Sequence, residues 1–191
     1  MKKKLFVLSA PSGTGKTSVC KELLKINPKW KFSISATTRA PRPKEIEGKD
    51  YIFLDDSKFK HYIQFGDFLE WEWVHGNKYG TLLEPIEDAI DKNETMLLDI
   101  DFKGGLSVIE EFPDETYSIF LEPPGENMED KLMILEERLM ARGETNSTLI
   151  KQRLKRFHVE IEYKEKFDFS IVNDDFKKVV KKIDAKIKEN L

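Results

Sequence analysis

The chain contains few of the residues that form disulfide bonds or bind metals. Its 191 residues include one cysteine and three histidines. A single thiol, Cys20, excludes an internal disulfide framework and fits a reducing compartment, so we expect a cytoplasmic protein. The spacing of His61, His75 and His158 is not that of metal ligands, and we assign these residues no chemistry.

Long apolar segments and a strong net charge are also missing. The formal net charge is −3, and no stretch approaches the length of a membrane span. The apolar run after Met1-Lys2-Lys3-Lys4 is too short for a signal peptide and suits a β-strand. The composition therefore predicts one substantial core with room for a small insert, and it argues against general nucleic-acid or membrane-surface binding.

Arginine is scarce as well, and it is unevenly distributed. Only six of the 32 basic residues are Arg, and all six fall within two windows, 39–42 and 138–156. A guanidinium group grips phosphate bidentately, whereas an ammonium group acts as a point charge. The two clusters therefore indicate two phosphorylated ligands held end to end. The alternative is a solvated basic face.

The most informative segment is Ser-Ala-Pro-Ser-Gly-Thr-Gly-Lys-Thr-Ser at 9–18. It follows an apolar run at 5–8 and precedes a helical pattern with Val19 and Leu23 on one face. A strand, a glycine-bearing loop ending in Gly-Lys-Thr and a helix are typical of a phosphate-binding loop, although Ala10 stands where the usual pattern opens with Gly. Such a loop binds phosphate with its backbone N–H groups and the N-terminus of its helix. We predict a nucleoside triphosphate site, the alternative being an ordinary turn before a helix.

This motif predicts roles for individual residues. Lys16 would reach the β- and γ-phosphates, and the Thr17 hydroxyl would bind Mg²⁺. Asp99, at the end of a buried strand, would hold Mg²⁺ directly or through water. Alternatively, Asp99 or Asp101 caps the following helix. The other loop residues predicted to contact ATP are Ser12, Gly13, Thr14, Gly15 and Ser18.

Strands and helices alternate along most of the chain, which predicts an α/β protein whose parallel sheet is covered on both faces. Ligands of such sheets bind at the carboxyl ends of the strands. Residues 35–91 interrupt the pattern with short strands and helices, as an inserted subdomain would. Helix caps are predicted at Asp56 or Ser57, and at Ser147 or Thr148.

Seven short motifs, in the right order, make the chain resemble guanylate kinases over essentially its full length. They are the phosphate loop at 9–17, Ser-Ala-Thr-Thr-Arg-Ala-Pro-Arg at 35–42, Gly-Lys-Asp-Tyr at 48–51, Phe-Leu-Glu-Trp at 68–71, Tyr-Gly-Thr at 79–81, Leu-Asp-Ile-Asp at 98–101 and Ile-Val-Asn-Asp at 171–174. The resemblance implies a P-loop three-layer core with a parallel sheet, an inserted GMP-binding subdomain and a helical lid. The implied core covers 1–34, 92–126 and 167–191, the subdomain 35–91, and the lid with its flanking helices 127–166.

The resemblance also implies a function: transfer of the γ-phosphoryl group of Mg-ATP to GMP, and to dGMP, giving ADP and GDP. Mg²⁺ is the implied cofactor, no nucleic acid or membrane is implied as a partner, and a homo-oligomer is left open. The residues implied to bind GMP are Ser35, Arg39, Arg42, Tyr51, Glu70, Tyr79, Thr81, Asp99 and Asp101. The residues implied to catalyse transfer are Lys16, Arg39, Arg138, Arg142 and Arg153, and Arg138 and Asn173 are implied to contact ATP.

The chemistry of guanine agrees with the base contacts among these residues, Glu70, Thr81 and Asp101. Its pairing edge presents N1–H and N2–H₂ donors beside the O6 acceptor, which calls for carboxylate acceptors and a hydroxyl donor. Adenine has no N1–H and would leave such carboxylates unpaired. Taken alone, however, Glu70 could lie on the solvent side of an alternating strand, since Glu72 shares its face.

Two other functions stay open. A guanylate-kinase-like module without catalysis would bind phosphorylated peptides through its arginines and tyrosines, but such modules have lost the phosphate loop and the lid arginines. A different small-molecule kinase would use AMP, a pyrimidine monophosphate or a sugar, and Glu70 with Asp101 argues against it. Segment 125–130 is longer than we expect for the family. Arg156 has a weaker claim to the site than the other arginines, since it could also be a surface residue.

Overall fold

The computed structural model describes residues 2–43, 45–74, 76–141 and 146–191. Over this part the chain forms nine strands and seven α-helices, and no helix of it is long and apolar enough to cross a membrane. In chain order the elements are β1 (Leu5–Ser9), α1 (Lys16–Ile26), β2 (Lys31–Ser33), β3 (Ala36–Thr37), β4 (Ile52–Phe53), α2 (Asp56–Phe65), β5 (Phe68–Val74), β6 (Asn77–Leu82), α3 (Glu84–Asp91), β7 (Met96–Asp99), α4 (Phe102–Glu111), β8 (Thr116–Glu122), α5 (Met128–Ala141), α6 (Ser147–Glu162), a 3₁₀ helix (Tyr163–Lys166), β9 (Phe169–Val172) and α7 (Phe176–Asn190).

The central sheet has five strands in the order β2-β7-β1-β8-β9, and every neighbouring pair is parallel. Its middle strand, β1, is apolar along nearly its whole length and fully buried, as expected of a parallel strand covered on both faces. Leu8 of β1 pairs in register with Asp99 of β7. Because parallel strands end at the same edge, the loops that follow β1 and β7 lie next to each other.

Helices cover this sheet on both faces and make three layers. On one face, Val19 of α1 and Ile183 of α7 belong to the core that includes Phe6 of β1. On the other face, Ile86 of α3 and Val108 of α4 belong to a second core, which includes the remaining faces of β1 and β7. The predicted α/β fold with a parallel sheet covered on both faces is therefore confirmed, and its carboxyl edge is a rigid platform for the loops.

A second sheet, in the order β4-β3-β6-β5, is formed by residues 36–82. Its strand β5 inverts the usual pattern, because Trp71 and Trp73 are exposed whereas Glu70 and Glu72 are half-buried. The interpretation of Glu70 as a solvent-facing residue is therefore wrong. This sheet lies within the segment predicted as an insert, and the division of the chain into domains stays a prediction.

Two helices are capped by the residue before the predicted one. The side chain of Asp55, not Asp56 or Ser57, accepts the N–H of Lys58 at 2.7 Å. In the same way, Asn146 accepts the N–H groups of Thr148 and Leu149 at 3.0 and 3.3 Å, ahead of the predicted Ser147 or Thr148. In both cases the cap is the residue whose backbone is extended. Several polar residues follow one another at each of these helix starts, so the sequence does not show which of them is the cap.

Gly125 lies between β8 and α5 and tests how tightly that connection is constrained. Its φ is 138°, and a Cβ there would lie 2.7 Å from the backbone nitrogen of Lys131. We predict that Gly125→Ala lowers the free energy of unfolding by about 3 kcal/mol, because it adds backbone strain and a clash. The control Gly48→Ala, at a φ of 70° with no atom within 4 Å, should cost only about 1 kcal/mol. Urea denaturation measures both variants, and equal losses would contradict this account.

Candidate active site

The loop after β1 presents a helix N-terminus at the carboxyl edge of the sheet. Gly13 and Gly15 have φ values of 93° and 104°, which let the loop turn back into α1. Gly15 is the N-cap of α1, and within the described residues no side chain caps this helix. The first N–H groups of α1 therefore have no side-chain acceptor, and with the positive end of the helix dipole they form a site for an anion.

Lys16, in the first turn of α1, reaches across to the end of β7. Its Nζ lies 3.0 Å from Oδ1 of Asp99 and also donates to the carbonyl oxygen of Ile100. Burial opposes the charge of this lysine, but the neighbouring Asp99 outweighs it and raises the pKa of Lys16. Asp99 is therefore the partner of a charged lysine and does not cap α4. The cap is Asp101, whose Oδ1 accepts the N–H of Gly104 at 3.0 Å.

A cleft of about 380 Å³ opens beside this loop. Arg138 of α5 and Asn173, after β9, donate to the same carbonyl oxygen of Thr14, at 3.2 and 2.7 Å. Two other buried oxygens, Thr14 Oγ1 and Asn173 Oδ1, have no hydrogen-bond partner among the described residues. Buried polar atoms are normally paired, so these two at the wall of a cleft indicate a site for a polar ligand.

Phe176, at the start of α7, lines the same cleft and is 41% exposed. Its place in the site was not predicted from the sequence. An aromatic ring three residues after Asn173 was the available signal, but the helical pattern of α7 made Phe176 look like an ordinary core position. Its exposed ring can stack against a flat ligand beside Arg138.

Arg39 forms a second cationic group, which lies next to the smaller sheet. Its Nε donates to the hydroxyl oxygen of Tyr79 at 3.2 Å, and its guanidinium carbon lies 5.2 Å from the centre of the Tyr51 ring. Its two terminal nitrogens each donate to the carboxylate of Glu45 at 2.9 Å. Together with the N–H of Arg42, these bonds hold the pKa of Glu45 below its usual range. A guanidinium holds phosphate in the same two-point geometry, so this position suits a phosphate in place of Glu45.

The predicted guanine contacts lie together near the start of α4. The hydroxyl of Thr81 donates to Oε1 of Glu70 at 2.6 Å, and this carboxylate packs directly over Gly104. Burial raises the pKa of Glu70 to about 7, and the nearby charges of Asp101 and Glu72 contribute to the rise. Burial acts on Asp101 as well, but the N–H of Gly104 and neighbouring charges outweigh it and lower the pKa of Asp101. Two neighbouring carboxyl groups thus have opposite tendencies to ionise.

Arg156 of α6 also contacts this pocket. Its Nη2 lies 2.6 Å from Oδ2 of Asp101 and 3.0 Å from Oε2 of Glu72, and its Nε lies 2.8 Å from Oε1 of Glu160. Arg156 is half-buried, so its interpretation as a surface residue is wrong. Of these contacts, only the pair with Glu160 could have been predicted from the sequence, because Glu160 follows four residues later on the same helix.

The other predicted residues are placed as follows. Arg142 lies outside the described residues. Ser12, Thr17, Ser18 and Arg42 are exposed, whereas Ser35 and Arg153 are half-buried. The carbonyl oxygen of Ser35 accepts the N–H of Ile52 at 3.0 Å, and Arg153 lies on α6, three residues before Arg156. The ligand contacts of all these residues stay predictions.

A parallel sheet in this strand order, with a glycine loop and a lysine after its central strand, defines an α/β protein of the P-loop class. The family model for guanylate kinase matches residues 2–190. The chain therefore belongs to the guanylate kinase family, as the motifs predicted.

Individual relatives agree with this assignment. The guanylate kinase of Maricaulis maris is 40% identical over 179 residues, which cover 94% of this chain and 79% of the relative. That of Chlorobaculum tepidum is 40% identical over 188 residues, which cover 98% of this chain and 93% of the relative. The crystal structure of guanylate kinase from Anaplasma phagocytophilum matches with a TM-score of 0.79 at 32% identity and covers 100% of this chain and 87% of that chain. Family and fold class are confirmed, and the chain is a nucleotide kinase.

Replacing Thr81 tests how the charge of Glu70 is controlled. The Thr81 hydroxyl donates to the ionised form of Glu70 and so lowers the pKa that burial raises. Thr81→Val keeps the shape of the side chain and removes the donor, so we expect the pKa of Glu70 to rise above about 7. A titration followed by carbon NMR of the Glu70 carboxyl group measures it. Thr116→Val, at a buried threonine in β8, is the control, and an unchanged or lower pKa in Thr81→Val contradicts the assignment.

Proposed function

We propose that this protein transfers the γ-phosphoryl group of Mg-ATP to GMP, and to dGMP, giving ADP and GDP. The observation that carries the proposal is the hydrogen-bonded pair Glu70–Thr81 beside Asp101, in a chain that also has the glycines and the lysine of a phosphate-binding loop. The loop alone would fit any P-loop kinase. Two carboxyl groups would accept from the N1–H and N2–H₂ donors of guanine, and the Thr81 hydroxyl would turn from Glu70 to donate to the O6 acceptor.

On the donor side, the backbone N–H groups of residues 12–18 would hold the phosphates of ATP. Lys16 would exchange its contact with Asp99 for the β- and γ-phosphate oxygens. The unpartnered Oδ1 of Asn173 is an acceptor for the amino group of adenine. Arg138 and Phe176 line the same cleft and offer flat surfaces to the adenine ring.

Mg²⁺, when bound, would supply positive charge that neutralises the phosphates of ATP. The hydroxyl of Thr17 and the carboxylate of Asp99 are hard oxygen donors of the kind that Mg²⁺ prefers. Across the described ranges, no group of three acidic, histidine or cysteine side chains is arranged to hold a metal ion. Mg²⁺ would take its other ligands from the nucleotide and from water, with Asp99 acting directly or through water.

On the acceptor side, Arg39 and Tyr79, with Ser35, Arg42 and Tyr51, would hold the phosphate of GMP, and this phosphate would replace Glu45 on Arg39. The second pKa of a phosphate monoester is about 6, so the acceptor is mostly a dianion near neutral pH. It is nucleophilic without help, and the proposal includes no general base.

Phosphoryl transfer further requires that two polyanions are brought together and that the charge of the transferred phosphoryl group is neutralised. Lys16 and the arginines at 138, 142 and 153 would do this by positioning and electrostatics, while Arg39 holds the acceptor. Residues 127–166 would act as a lid whose closure excludes water and limits hydrolysis of ATP. We also propose a cytoplasmic location, which the lone buried thiol of Cys20 supports.

The rival functions have less support. A phosphopeptide-binding module has no use for a buried lysine held at the end of β7 or for the cleft beside Asn173. A kinase for AMP or pyrimidine monophosphates would leave the carboxyl groups of Glu70 and Asp101 without the donors of guanine.

Phosphorus NMR with ATP, Mg²⁺ and a panel of acceptors tests the proposal. GMP and dGMP should give diphosphates, and AMP, UMP and CMP should react at least about a hundredfold more slowly. Rapid phosphorylation of AMP or UMP with slow reaction of GMP would favour a different kinase. No diphosphate from any acceptor would favour the binding module.

Lys16→Ala removes the cation that would neutralise the transferred phosphoryl group. We expect kcat to fall by about a hundredfold or more, with the circular dichroism spectrum unchanged. Lys25→Ala, on the exposed face of the same helix, is the matched control and should keep normal turnover. Near-normal turnover in Lys16→Ala would refute the role of this lysine.

Glu70→Gln replaces a carboxylate acceptor with a group of the same size. Its Kd for GMP should rise by about tenfold or more, while its Kd for ATP changes by less than about twofold, measured by calorimetry. Glu87→Gln, at an exposed position of α3, is the control. Equal losses for both nucleotides would contradict the reading of guanine by Glu70.

The wild-type protein and Glu70→Gln also test how guanine binding depends on pH. Because the pKa of Glu70 is about 7 and binding needs its ionised form, affinity should rise as pH rises from 6 to 8. Guanosine is the probe, since it lacks a titrating phosphate. Glu70→Gln should bind guanosine with little dependence on pH over this range.

A further inference from the structure

Arg156 joins three parts of the chain at one point. From α6 it contacts Glu72 on β5 at 3.0 Å, Asp101 at the start of α4 at 2.6 Å, and Glu160 on its own helix at 2.8 Å. Its guanidinium carbon also lies 5.8 Å from the centre of the Phe102 ring. Because a guanidinium is planar and rigid, contacts on several of its edges fix its orientation.

The ion pairs around Arg156 are partly or largely buried, so the loss of one partner would have a large effect. The side chains of Arg156, Glu72 and Glu160 are 31%, 23% and 8% exposed. Lys103 is a second cation on Glu72, at 2.6 Å, and is itself 58% exposed. Exposed ion pairs contribute little, but removal of one partner from a buried pair leaves an uncompensated charge. Arg156 is thus the cation that neutralises most of the negative charge of Glu72, Asp101 and Glu160.

Two of its partners bear directly on the proposed guanine pocket. Asp101 is held from both sides, since Oδ1 accepts the N–H of Gly104 and Oδ2 accepts Arg156. Each carboxylate oxygen has two lone pairs, so each can still accept an N–H from a ligand. Glu72 lies two residues from Glu70 on the same face of β5, so a tie to Glu72 also restrains Glu70.

We propose that Arg156 is a positioning residue for the acceptor nucleotide. It holds the Asp101 carboxylate in the orientation that receives guanine, and it ties α6 to the strand that carries Glu70. Arg153 lies one turn earlier on α6, so the same tie determines where Arg153 is presented. The inference rests on the proposed function, because it takes Asp101 and Glu70 as guanine contacts.

Two variants of Arg156 test it by steady-state kinetics. Arg156→Met removes the charge and keeps an aliphatic chain, and we expect KM for GMP to rise about tenfold while KM for ATP changes by less than about twofold. Arg156→Lys keeps the charge but carries all its donors on one nitrogen atom, so it fixes Asp101 and Glu160 less well than a guanidinium does. We therefore expect a smaller rise in KM for GMP. Lys155→Met, at the exposed neighbouring position, loses the same charge from the same helix and should leave both constants unchanged.

A purely structural role gives a different result. It lowers the Tm of both Arg156 variants and leaves KM for GMP and KM for ATP unchanged, and that outcome overturns the proposal. If Arg156→Met does not fold, Glu72→Gln removes one partner and leaves the Asp101 contact in place. At pH 8, where Glu70 is mostly ionised with or without the charge of Glu72, it should still raise KM for GMP, and no rise in either Glu72→Gln or Arg156→Lys also overturns the proposal.

Failure of the proposed function is distinguishable from failure of this inference. A wild-type enzyme that does not phosphorylate GMP refutes the function, and the inference falls with it. An active wild-type enzyme whose GMP constants are unaffected by changes at Arg156 refutes the inference alone.

Discussion

The contact between Lys16 and Asp99, 3.0 Å long, depends on the parallel pairing of β1 with β7, and the site is organised around it. The two strands end side by side, so a helix N-terminus, a buried ammonium group and a carboxylate meet at one edge. Asp99 neutralises the lysine, so a mostly buried positive charge is not left without a partner. In the proposed function, a phosphate chain would replace the carboxylate on Lys16, and Asp99 would then be available for a metal ion.

Charges of opposite sign are separated along the proposed nucleotide path. Cations lie where phosphates are expected, at Lys16, Arg138 and Arg39, and carboxyl groups lie where guanine is expected, at Glu70 and Asp101. Arg156 is the exception, because it stands among carboxylates and not among phosphate positions. Its role is then to keep these carboxylates in place without competing for the phosphates. The formal net charge of −3 hides this separation.

Local patterns allowed the central sheet and the phosphate loop to be predicted from the sequence. A strand, a glycine loop and a helix follow one another within a short segment, and an apolar strand implies cover on both faces. Contacts across long separations could not be predicted. Arg156 meets Asp101 and Glu72 across 55 and 84 residues, through the packing of α6. Alternation in β5 showed that Glu70 and Glu72 share a face, but it could not show which face is buried.

In the proposed function, two nucleotides bind end to end with their phosphates facing each other. A single molecule that joins adenosine to guanosine through a chain of phosphates would span both positions. Calorimetry with this compound is the most direct test. The account predicts a Kd at least about a hundredfold lower than that of ATP or GMP alone, because the second half binds as part of the same molecule. A compound that binds no more tightly than ATP alone would contradict it.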